Sequence, residues 1–463
     1  MRPWKLRASE RQVLLLLGDL AAAGAAMVVA LVLWGRFDYL GPSLEFIRAR
    51  AEWFVLAPLL WPLLMVNLYD LQRAASLSAT IRGVIFAAIA GAFLYLVVYF
   101  TLEGSLARRG VLYFLGTSVA FTLVWRWLYI RVFTAPAFLR RVLVVGAGES
   151  GRSILKVVQS QNPRPFHVVG LIDDDSSKQG KRVLGATVLG DSSRLLEVAD
   201  REAVSDVIVA ILGPMKGTMF QSLLDAQEKG IGIIRLAVTY EELLSRVPIN
   251  YLEADWLLRS FVDEVHVSGL YLLIKRLADI LGSLIGLSIF LVLLPWAAAA
   301  ILLDSGRPVF FRQKRLGQGA RTFNVVKLRT MRQDAEADGQ AHWAKTRDPR
   351  ATRVGRILRR MHLDEFPQFW NVLRGEMSLV GPRPERPELV AELEKKIPFY
   401  RARLLAKPGI TGWAQVNYGK GASVEGSAEK LEYDLYYIKR RSLWLDLWIL
   451  LRTLGSVFRL RGV

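Results

Sequence analysis

The sequence contains no cysteine and only four histidines among its 463 residues. Without cysteine there can be no disulfide, no zinc–thiolate site and no thiol nucleophile, and so few histidines disfavour a histidine-built metal site. Any chemistry must therefore come from carboxylates, hydroxyls or a hard cation.

Acidic residues are also under-represented, with 42 Asp and Glu against 61 Lys and Arg, which gives a net charge of +19. This excess predicts anionic partners, namely phospholipid surfaces, phosphorylated substrates or nucleic acid. Hydrophobic residues make up 52% of the chain and the mean hydropathy is +0.27. A membrane protein with soluble parts is therefore expected, which favours lipid and phosphorylated substrates over nucleic acid.

Four apolar segments, at residues 13–34, 53–71, 84–102 and 111–133, predict a bundle of four transmembrane helices within residues 1–135. The tail before the first segment is basic, and Arg140 and Arg141 follow the fourth, so both ends of the bundle are expected in the cytoplasm. Asp19 and Arg126 lie inside apolar segments, where single charges are costly. An ion pair between them is a better explanation than a transport role.

Residues 136–265 have the pattern of a Rossmann-like α/β domain. A buried strand at 142–145 runs into a glycine-rich turn with Gly146, Gly148 and Gly151, and a second strand ends before Asp173. This is a dinucleotide fingerprint in which the acid would meet a ribose hydroxyl. A nucleotide or NAD-like ligand is one reading, and close packing of the glycines is the other. An oxidoreductase is disfavoured, because the domain has no Tyr-x-x-x-Lys pair.

A fifth apolar segment, residues 277–303, has basic residues on both flanks and contains Pro295. The charges place both ends in the cytoplasm, and the proline can kink a helix, so a re-entrant hairpin is expected here. A simple fifth span is the alternative, and it would place the remaining residues outside the cell. With the hairpin, residues 266–463 form a mainly α catalytic domain on the cytoplasmic face.

Two adjacent carboxylates, Asp364 and Glu365, follow a strongly basic stretch. Asp364 is a plausible N-cap of a helix with Pro367 in its first turn and Gly375 at its end. Neighbouring helical residues point about 100° apart, so the two acids suit separate tasks, one attacking a phosphate and the other holding Mg²⁺. A cap with surface salt bridges explains the spacing equally well.

Two loops further along carry phosphate-binding chemistry. Arg383 lies in a rigid Gly-Pro-Arg-Pro loop, where its planar side chain suits a diphosphate. Residues 407–415 form a glycine-rich loop in which Thr411 is a candidate substrate-binding residue. The stretch 431–459 is amphipathic and rich in aromatics, as expected of a helix in the membrane interface or of core packing.

Six segments, in this order, resemble bacterial polyprenyl-phosphate sugar-1-phosphate transferases, the monotopic phosphoglycosyl transferases. Each segment is weak alone, but their order over the C-terminal region is specific. They are Lys275-Arg276-Leu277-Ala278-Asp279-Ile280, Pro308-Val309-Phe310-Phe311-Arg312-Gln313-Lys314-Arg315, Lys327-Leu328-Arg329-Thr330-Met331, Asp364-Glu365-Phe366-Pro367-Gln368, Gly381-Pro382-Arg383-Pro384-Glu385 and Pro408-Gly409-Ile410-Thr411-Gly412-Trp413. The N-terminal parts look like those of the large members that begin exopolysaccharide or O-antigen synthesis, and the tail resembles the exosortase-associated subgroup.

The resemblance implies a UDP-sugar donor, a polyprenyl (undecaprenyl) phosphate acceptor and a covalent phosphosugar intermediate on Asp364. It implies Mg²⁺ at Glu365, phosphate binding by Lys327, Arg329 and Arg383, and a multi-pass protein of the bacterial inner membrane. Departures at Leu294-Pro295 and at Tyr418-Gly419-Lys420, where many members have Ser-Pro and Gly-Arg, prevent any transfer of sugar preference. A homo-oligomer is left open. The alternative from another class is a nucleotide-sensing membrane scaffold of a polysaccharide assembly system.

Overall fold

The computed structural model describes residues 8–38, 41, 43–48, 51–69, 71–101, 108–133, 139–161, 164–251, 268–333, 335, 348–418 and 423–458. The chain divides into two compact units, Met1–Glu242 and Leu243–Val463. Val247 and Ile249, which the sequence assigned to the α/β domain, lie in a buried core of the second unit. The second unit therefore begins earlier than residue 266.

The first unit contains an N-terminal helical part and an α/β part. Its helices and strands are α1 Ala8–Asp38, α2 Leu44–Arg48, α3 Ala51–Leu64, α4 Leu71–Ala74, α5 Leu77–Thr101, α6 Arg108–Phe133, β1 Arg140–Val145, α7 Glu149–Ser160, β2 Phe166–Ile172, β3 Arg182–Val183, β4 Ala186–Gly190, α8 Leu195–Arg201, β5 Asp206–Val209, α9 Gly217–Glu228, β6 Gly232–Arg235 and α10 Leu236–Leu244.

In the described part of the first unit, three helices are long and apolar enough to cross a membrane, over Glu10–Phe37, Leu77–Phe100 and Arg108–Phe133. The expected second span differs, because α3 has only 14 residues and contains Pro58 and Pro62. At 1.5 Å per residue it reaches about 21 Å, short of a hydrocarbon core of about 30 Å. The two prolines each remove a backbone donor inside the helix.

The charged residues of the bundle pair as predicted. Arg126 donates from Nε and Nη2 to the two carboxylate oxygens of Asp19, at 3.1 and 2.6 Å. Both side chains are fully buried, and Nη1 donates to the carbonyl of Leu68 at 2.9 Å. The bidentate geometry and the third hydrogen bond satisfy charges that would be costly alone.

The α/β part confirms the Rossmann-like prediction. Its sheet has the strand order β3-β4-β2-β1-β5-β6, in which all neighbours are parallel except the β3–β4 pair at one edge. Strand β1 is central and buried on both faces, as its unbroken run of aliphatic residues requires. Leu143 and Val145 of this strand pack with Leu195, Val207 and Met219 in one core.

The second unit contains a set of short elements and one long helix, which is continuous through Pro295 where the sequence predicted a hairpin. They are α11 Gly269–Ser305, β7 Phe310–Leu316, β8 Thr322–Leu328, α12 Arg353–Arg360, α13 Gln368–Leu373, β9 Ser378–Val380, α14 Pro387–Leu393, β10 Gly409–Thr411, α15 Trp413–Asn417, α16 Val424–Arg440 and α17 Leu443–Phe458. Strands β7 and β8 form an antiparallel hairpin, and β9 pairs with β10 in parallel.

The C-terminal stretch differs from the single amphipathic helix that the sequence suggested. It forms two helices, α16 and α17, that are broken between Arg440 and Leu443. Tyr437 is buried in a core together with Ile449, whereas Trp444 is 60% exposed. Core packing therefore explains the tyrosine, while Trp444 remains on the surface.

Candidate active site

The two carboxylates lie in a tight turn between α12 and α13. Residues Leu363–Glu365 form a single 3₁₀ turn, and His362 before it has a left-handed backbone with φ of 56°. The prediction that Asp364 caps the next helix is wrong, because Pro367 holds that position. The turn is closed by backbone groups instead, with the Glu365 N–H donating to the His362 carbonyl at 3.2 Å. Gly375, with φ of 82°, follows α13 as predicted.

Glu365 is held by two cations from distant parts of the chain. Lys327 on β8 donates from Nζ to Oε1 at 3.0 Å, and Arg383 donates from Nη2 to the same oxygen at 2.5 Å. A weaker contact joins Arg383 Nη1 to Oε2 at 3.4 Å. Burial alone would raise the pKa of the Glu365 carboxyl, but Arg383 and then Lys327 outweigh it and hold that pKa well below its ordinary value.

Asp364 has a different environment although it is the adjacent residue. Its side chain is 8% exposed, and within the described residues it forms no ion pair of the kind that Glu365 forms. Burial, followed by the charge of Glu365, raises the pKa of the Asp364 carboxyl, while Lys327, Arg359 and Arg383 act in the opposite direction. Asp364 is therefore the carboxylate with lone pairs available and the higher basicity.

The loop that carries Arg383 is interlocked with the second glycine-rich loop. A side chain at Gly381 would come within 2.2 Å of the Lys407 carbonyl, and one at Gly409 within 2.1 Å of the Gly381 nitrogen. The Gly381 N–H donates to the Thr411 carbonyl, and the Gly409 N–H to the Pro382 carbonyl, each at 2.9 Å. The two loops, which the sequence presents as separate motifs, form one rigid support for Arg383.

Thr411 and Arg329 make structural contacts. The Thr411 hydroxyl lies 2.7 Å from that of Thr453 on α17. Arg329 is 6% exposed, and its guanidinium donates to the carbonyl oxygens of Ser305, Gly306 and Arg307 at the C-terminal end of α11. The structure does not bring Arg329 into the ion-paired cluster at Glu365. Substrate binding by either residue stays a prediction.

Arg359 is a residue of the site that sequence reasoning did not single out. It lies in the last turn of α12, donates from Nε to the Thr330 hydroxyl at 2.9 Å, and lowers the pKa of the Asp364 carboxyl. It is one of seven basic residues between positions 345 and 360, and only the fold shows which of them faces the dyad.

The carboxylate chemistry suits a magnesium ion only together with a substrate. Among the described residues there is no group of three or more His, Asp or Glu side chains that would hold a metal by themselves. Mg²⁺ is usually bound by one or two carboxylates plus substrate phosphates and water. Among the residues that the structure describes, the 3.4 Å contact to Arg383 is the one hydrogen bond to Glu365 Oε2, so this oxygen retains a lone pair for such an ion.

In the α/β part, the acid Asp173 is hydrogen-bonded to the backbone of the glycine-rich turn. Gly146 has φ of 106°, and a side chain at Gly151 would lie 2.0 Å from the Gly146 carbonyl, whereas Gly148 has open space. Asp173 accepts a hydrogen bond from the Ala147 N–H at 2.7 Å and one from Lys178 at 3.1 Å. Packing explains Gly146 and Gly151, and a ligand at this turn stays a prediction.

Comparison with known protein families agrees with the division of the chain into two units. The model of the bacterial sugar transferase family matches residues 270–460, and a CoA-binding domain model matches residues 65–218. The chain is 40% identical over 267 residues to the UDP-N-acetylgalactosamine-undecaprenyl-phosphate N-acetylgalactosaminephosphotransferase of Aeromonas hydrophila, a match that covers 57% of this chain and 62% of that protein.

Two further relatives match a longer part of the chain. The undecaprenyl-phosphate glucose phosphotransferase of Komagataeibacter xylinus is 34% identical over 68% of this chain and 58% of its own length. The UDP-glucose:undecaprenyl-phosphate glucose-1-phosphate transferase of Escherichia coli K12 is 33% identical over 69% of this chain and 68% of its own length. The matched region thus spans less than two thirds of the Aeromonas and Komagataeibacter proteins.

Proposed function

The chain belongs to the family of bacterial sugar transferases, and from this we propose that it transfers a sugar 1-phosphate from a UDP-sugar to undecaprenyl phosphate, initiating exopolysaccharide or O-antigen-type glycan synthesis. The names of the relatives support the donor and acceptor classes. The observation that carries the chemistry is the contrast within the dyad, where Glu365 is gripped by Lys327 and Arg383 while Asp364 is buried without an ion-pair partner in the described part of the chain.

In the proposed first step, a carboxylate oxygen of Asp364 attacks the phosphorus that bears the sugar. An oxygen–phosphorus bond forms, the bond from that phosphorus to the bridging oxygen breaks, and UMP leaves with the electron pair. In the second step, an oxygen of the polyprenyl phosphate attacks the same phosphorus and the Asp364 carboxylate departs. Donor and lipid acceptor use one site in turn, and no oxidant or net proton is needed.

Lys327 and Arg383 are the proposed phosphate binders, because both cations lie at the dyad and the planar guanidinium can contact two phosphate oxygens. Glu365 is the proposed Mg²⁺ contact, where the ion would supply charge neutralisation of the diphosphate. The protein groups hold the donor in line with Asp364, which is the larger part of catalysis in phosphoryl transfer.

We also propose that α11 is re-entrant, with both ends at the cytoplasmic face of the inner membrane. Near its start, Arg276 donates to the carbonyls of Val372 and Leu373, each at 2.8 Å, and near its end Asp304 accepts from the Val354 N–H at 3.0 Å. Length alone would also allow a simple span, because a straight helix of 37 residues is about 55 Å long and can cross a bilayer. Contacts of both end regions with the same compact unit support a helix that enters and leaves on one side.

The absence of native cysteine makes this topology directly testable. Lys395→Cys, in the catalytic unit, should react with a membrane-impermeant maleimide only after cells are lysed. Ser43→Cys, between the first two helices, should react in intact spheroplasts and serves as the control. Labelling of Lys395→Cys in intact spheroplasts would contradict the re-entrant topology and the cytoplasmic donor site.

The activity itself is tested by UMP release from purified protein supplied with a panel of UDP-sugars and undecaprenyl phosphate. Asp364→Asn should lower turnover by more than about a thousandfold, since the nucleophile is removed. The exposed acid Glu388, changed to Gln, is the control and should keep wild-type turnover. With donor alone, mass spectrometry should find the phosphosugar adduct on the peptide that contains Asp364. An Asn variant with wild-type turnover refutes the nucleophile, and no release with any UDP-sugar favours the scaffold.

The ligand of the α/β part is a separate proposal. A nucleotide or NAD-like molecule bound at the glycine-rich turn would have to take the Ala147 N–H from Asp173. Asp173→Asn should therefore change its affinity in calorimetric titration with nucleotides, and no heat with either protein would refute a ligand there.

A further inference from the structure

A second buried ionic cluster lies behind the Arg383 loop and takes no part in the proposed chemistry. Its centre is Arg403, which is 6% exposed and lies in the 3₁₀ segment Tyr400–Leu405. Nη1 donates to the Tyr400 hydroxyl at 2.7 Å, and Nη2 lies 2.9 Å from a carboxylate oxygen of Asp434, which is itself 1% exposed. Glu385 is at 3.8 Å. A charge pair with this degree of burial is costly to desolvate, so it is weak evidence for a purely stabilising role.

One contact connects this cluster to the dyad. Arg403 Nη2 donates to the backbone carbonyl of Arg383 at 2.9 Å. The side chain of the same residue holds Glu365 through its guanidinium. Arg383 is thus held at both ends. Its backbone carbonyl is bound by the buried Arg403, and its guanidinium by Glu365, the proposed Mg²⁺ contact.

The loop has little other freedom. Pro382 and Pro384 flank Arg383 and fix two backbone φ angles. On the other side, Arg315 donates to the Pro384 carbonyl at 3.1 Å and lies 3.6 Å from Glu385. Rotation of the Arg383 peptide is therefore the main backbone motion left that could displace its guanidinium, and the hydrogen bond from Arg403 to the Arg383 carbonyl restrains that motion.

We propose that Arg403, oriented by Asp434 and Tyr400, is a positioning residue that sets the Arg383 guanidinium against Glu365. The inference rests on the proposed function of the dyad. Arg403 touches neither the dyad nor any proposed substrate group, so it acts only through Arg383. The loss of Arg403 should therefore lower turnover only where Arg383 is present.

The test is a double-mutant cycle on UMP release. Arg403→Gln should lower kcat on the order of ten- to a hundredfold, the usual effect of a misplacement of about 1 Å at a reacting centre, with little change in the KM for the donor. In an Arg383→Gln background the same substitution should cost less than about twofold, because there is no guanidinium left to misplace. Arg401→Gln is the matched control, since Arg401 lies in the same segment and its side chain is 64% exposed.

Two results would overturn the proposal: effects of Arg403→Gln and Arg383→Gln that multiply, or an Arg403→Gln protein with wild-type kcat. Should Arg403→Gln fail to fold, Tyr400→Phe removes one orienting hydroxyl with less disturbance. It should lower kcat several-fold in the wild-type background and have no effect beside Arg383→Gln, and equal effects in both backgrounds refute the inference.

Backbone amide exchange at Gly381, Arg383 and Glu385, the residues of this loop that carry an amide hydrogen, gives a readout that does not depend on turnover. Exchange should rise in Arg403→Gln and stay at the wild-type level in Arg401→Gln, and unchanged exchange in Arg403→Gln would contradict the positioning role. If wild-type protein releases no UMP, the proposed function fails, but amide exchange still tests whether the Arg403 hydrogen bond holds the Arg383 loop in place. If wild-type protein is active and the cycle is additive, only the positioning role fails.

Discussion

Replacing Glu365 with Gln removes the carboxylate to which Lys327 and Arg383 both donate hydrogen bonds. The variant keeps the size of the side chain, so packing in the turn is preserved. Lys327 is the more affected partner, because its side chain is only 22% exposed and burial already lowers the pKa of its ammonium. Without Glu365 the Lys327 ammonium has lost its ion pair, which is more costly than losing a solvated one.

The magnitude follows from the two contacts. A charge-assisted hydrogen bond contributes about 1.5–3 kcal/mol net, and we assign this to the 3.0 Å contact with Lys327. Arg383 is 43% exposed, so solvent screening reduces its contribution to about 1 kcal/mol or less. Glu365→Gln should therefore lower the free energy of unfolding by about 2–4 kcal/mol.

Chemical denaturation of detergent-solubilised protein, followed by tryptophan fluorescence, measures this difference. Glu392→Gln is the control, because Glu392 forms an exposed pair with Lys396 and its loss should cost no more than about 0.5 kcal/mol. Adding Lys327→Met to Glu365→Gln should recover part of the loss by removing the orphaned charge. The reasoning is refuted if Glu365→Gln costs no more than the control, or if the double variant is less stable than Glu365→Gln alone.

Two further predictions concern the rest of the catalytic unit. Burial raises the pKa of Asp434 to about 6 against the opposing charge of Arg403, so between about pH 4 and pH 6 this carboxyl keeps a proton in the folded protein that it loses in the unfolded chain, and its contribution to stability should fall by about 2–3 kcal/mol as pH rises through this window. Denaturation curves of the wild-type protein and of Asp434→Asn across that range isolate this contribution from that of Glu365, whose lowered pKa acts in the opposite sense, and identical pH profiles would contradict it. Gly381→Ala places a carbon within 2.2 Å of a carbonyl oxygen and should destabilise by about 3 kcal/mol or more, whereas Gly148→Ala, with open space around it, should change stability by less than about 1 kcal/mol. Equal thermal midpoints for the two alanine variants would show that the loop interlock is not required.

Local patterns predicted the elements that depend on neighbouring residues. The aliphatic run of β1, the glycine after α13 and, except for the second of the expected spans, the long apolar helices appear where periodicity and composition placed them. The pairing of Asp19 with Arg126 was also predictable, because two isolated charges in apolar helices have few alternatives.

Contacts that join distant segments were not predictable in this way. Lys327 and Arg329 are two residues apart in one sequence motif, yet their side chains have separate partners. Lys327 contacts Glu365, whereas Arg329 contacts the end of α11. The prediction of an N-cap at Asp364 was wrong for a related reason. His362 adopts a left-handed backbone conformation, and the turn is closed by backbone hydrogen bonds instead. Arg403 had no sequence signal, because its importance comes from an Arg383 carbonyl 20 residues away.

The site solves a conflict between binding phosphate and keeping a nucleophile free. A cation close enough to bind a diphosphate would also bind Asp364 and withdraw its lone pairs, which lowers its nucleophilicity. Glu365 takes that contact instead, because both Lys327 and Arg383 donate to its Oε1. With Arg359 nearby, the three cations and two carboxylates leave a net charge of about +1 for the donor phosphates. Adjacent acids in one turn can thus have opposite pKa shifts, and the acid without the ion pair is the one left to react.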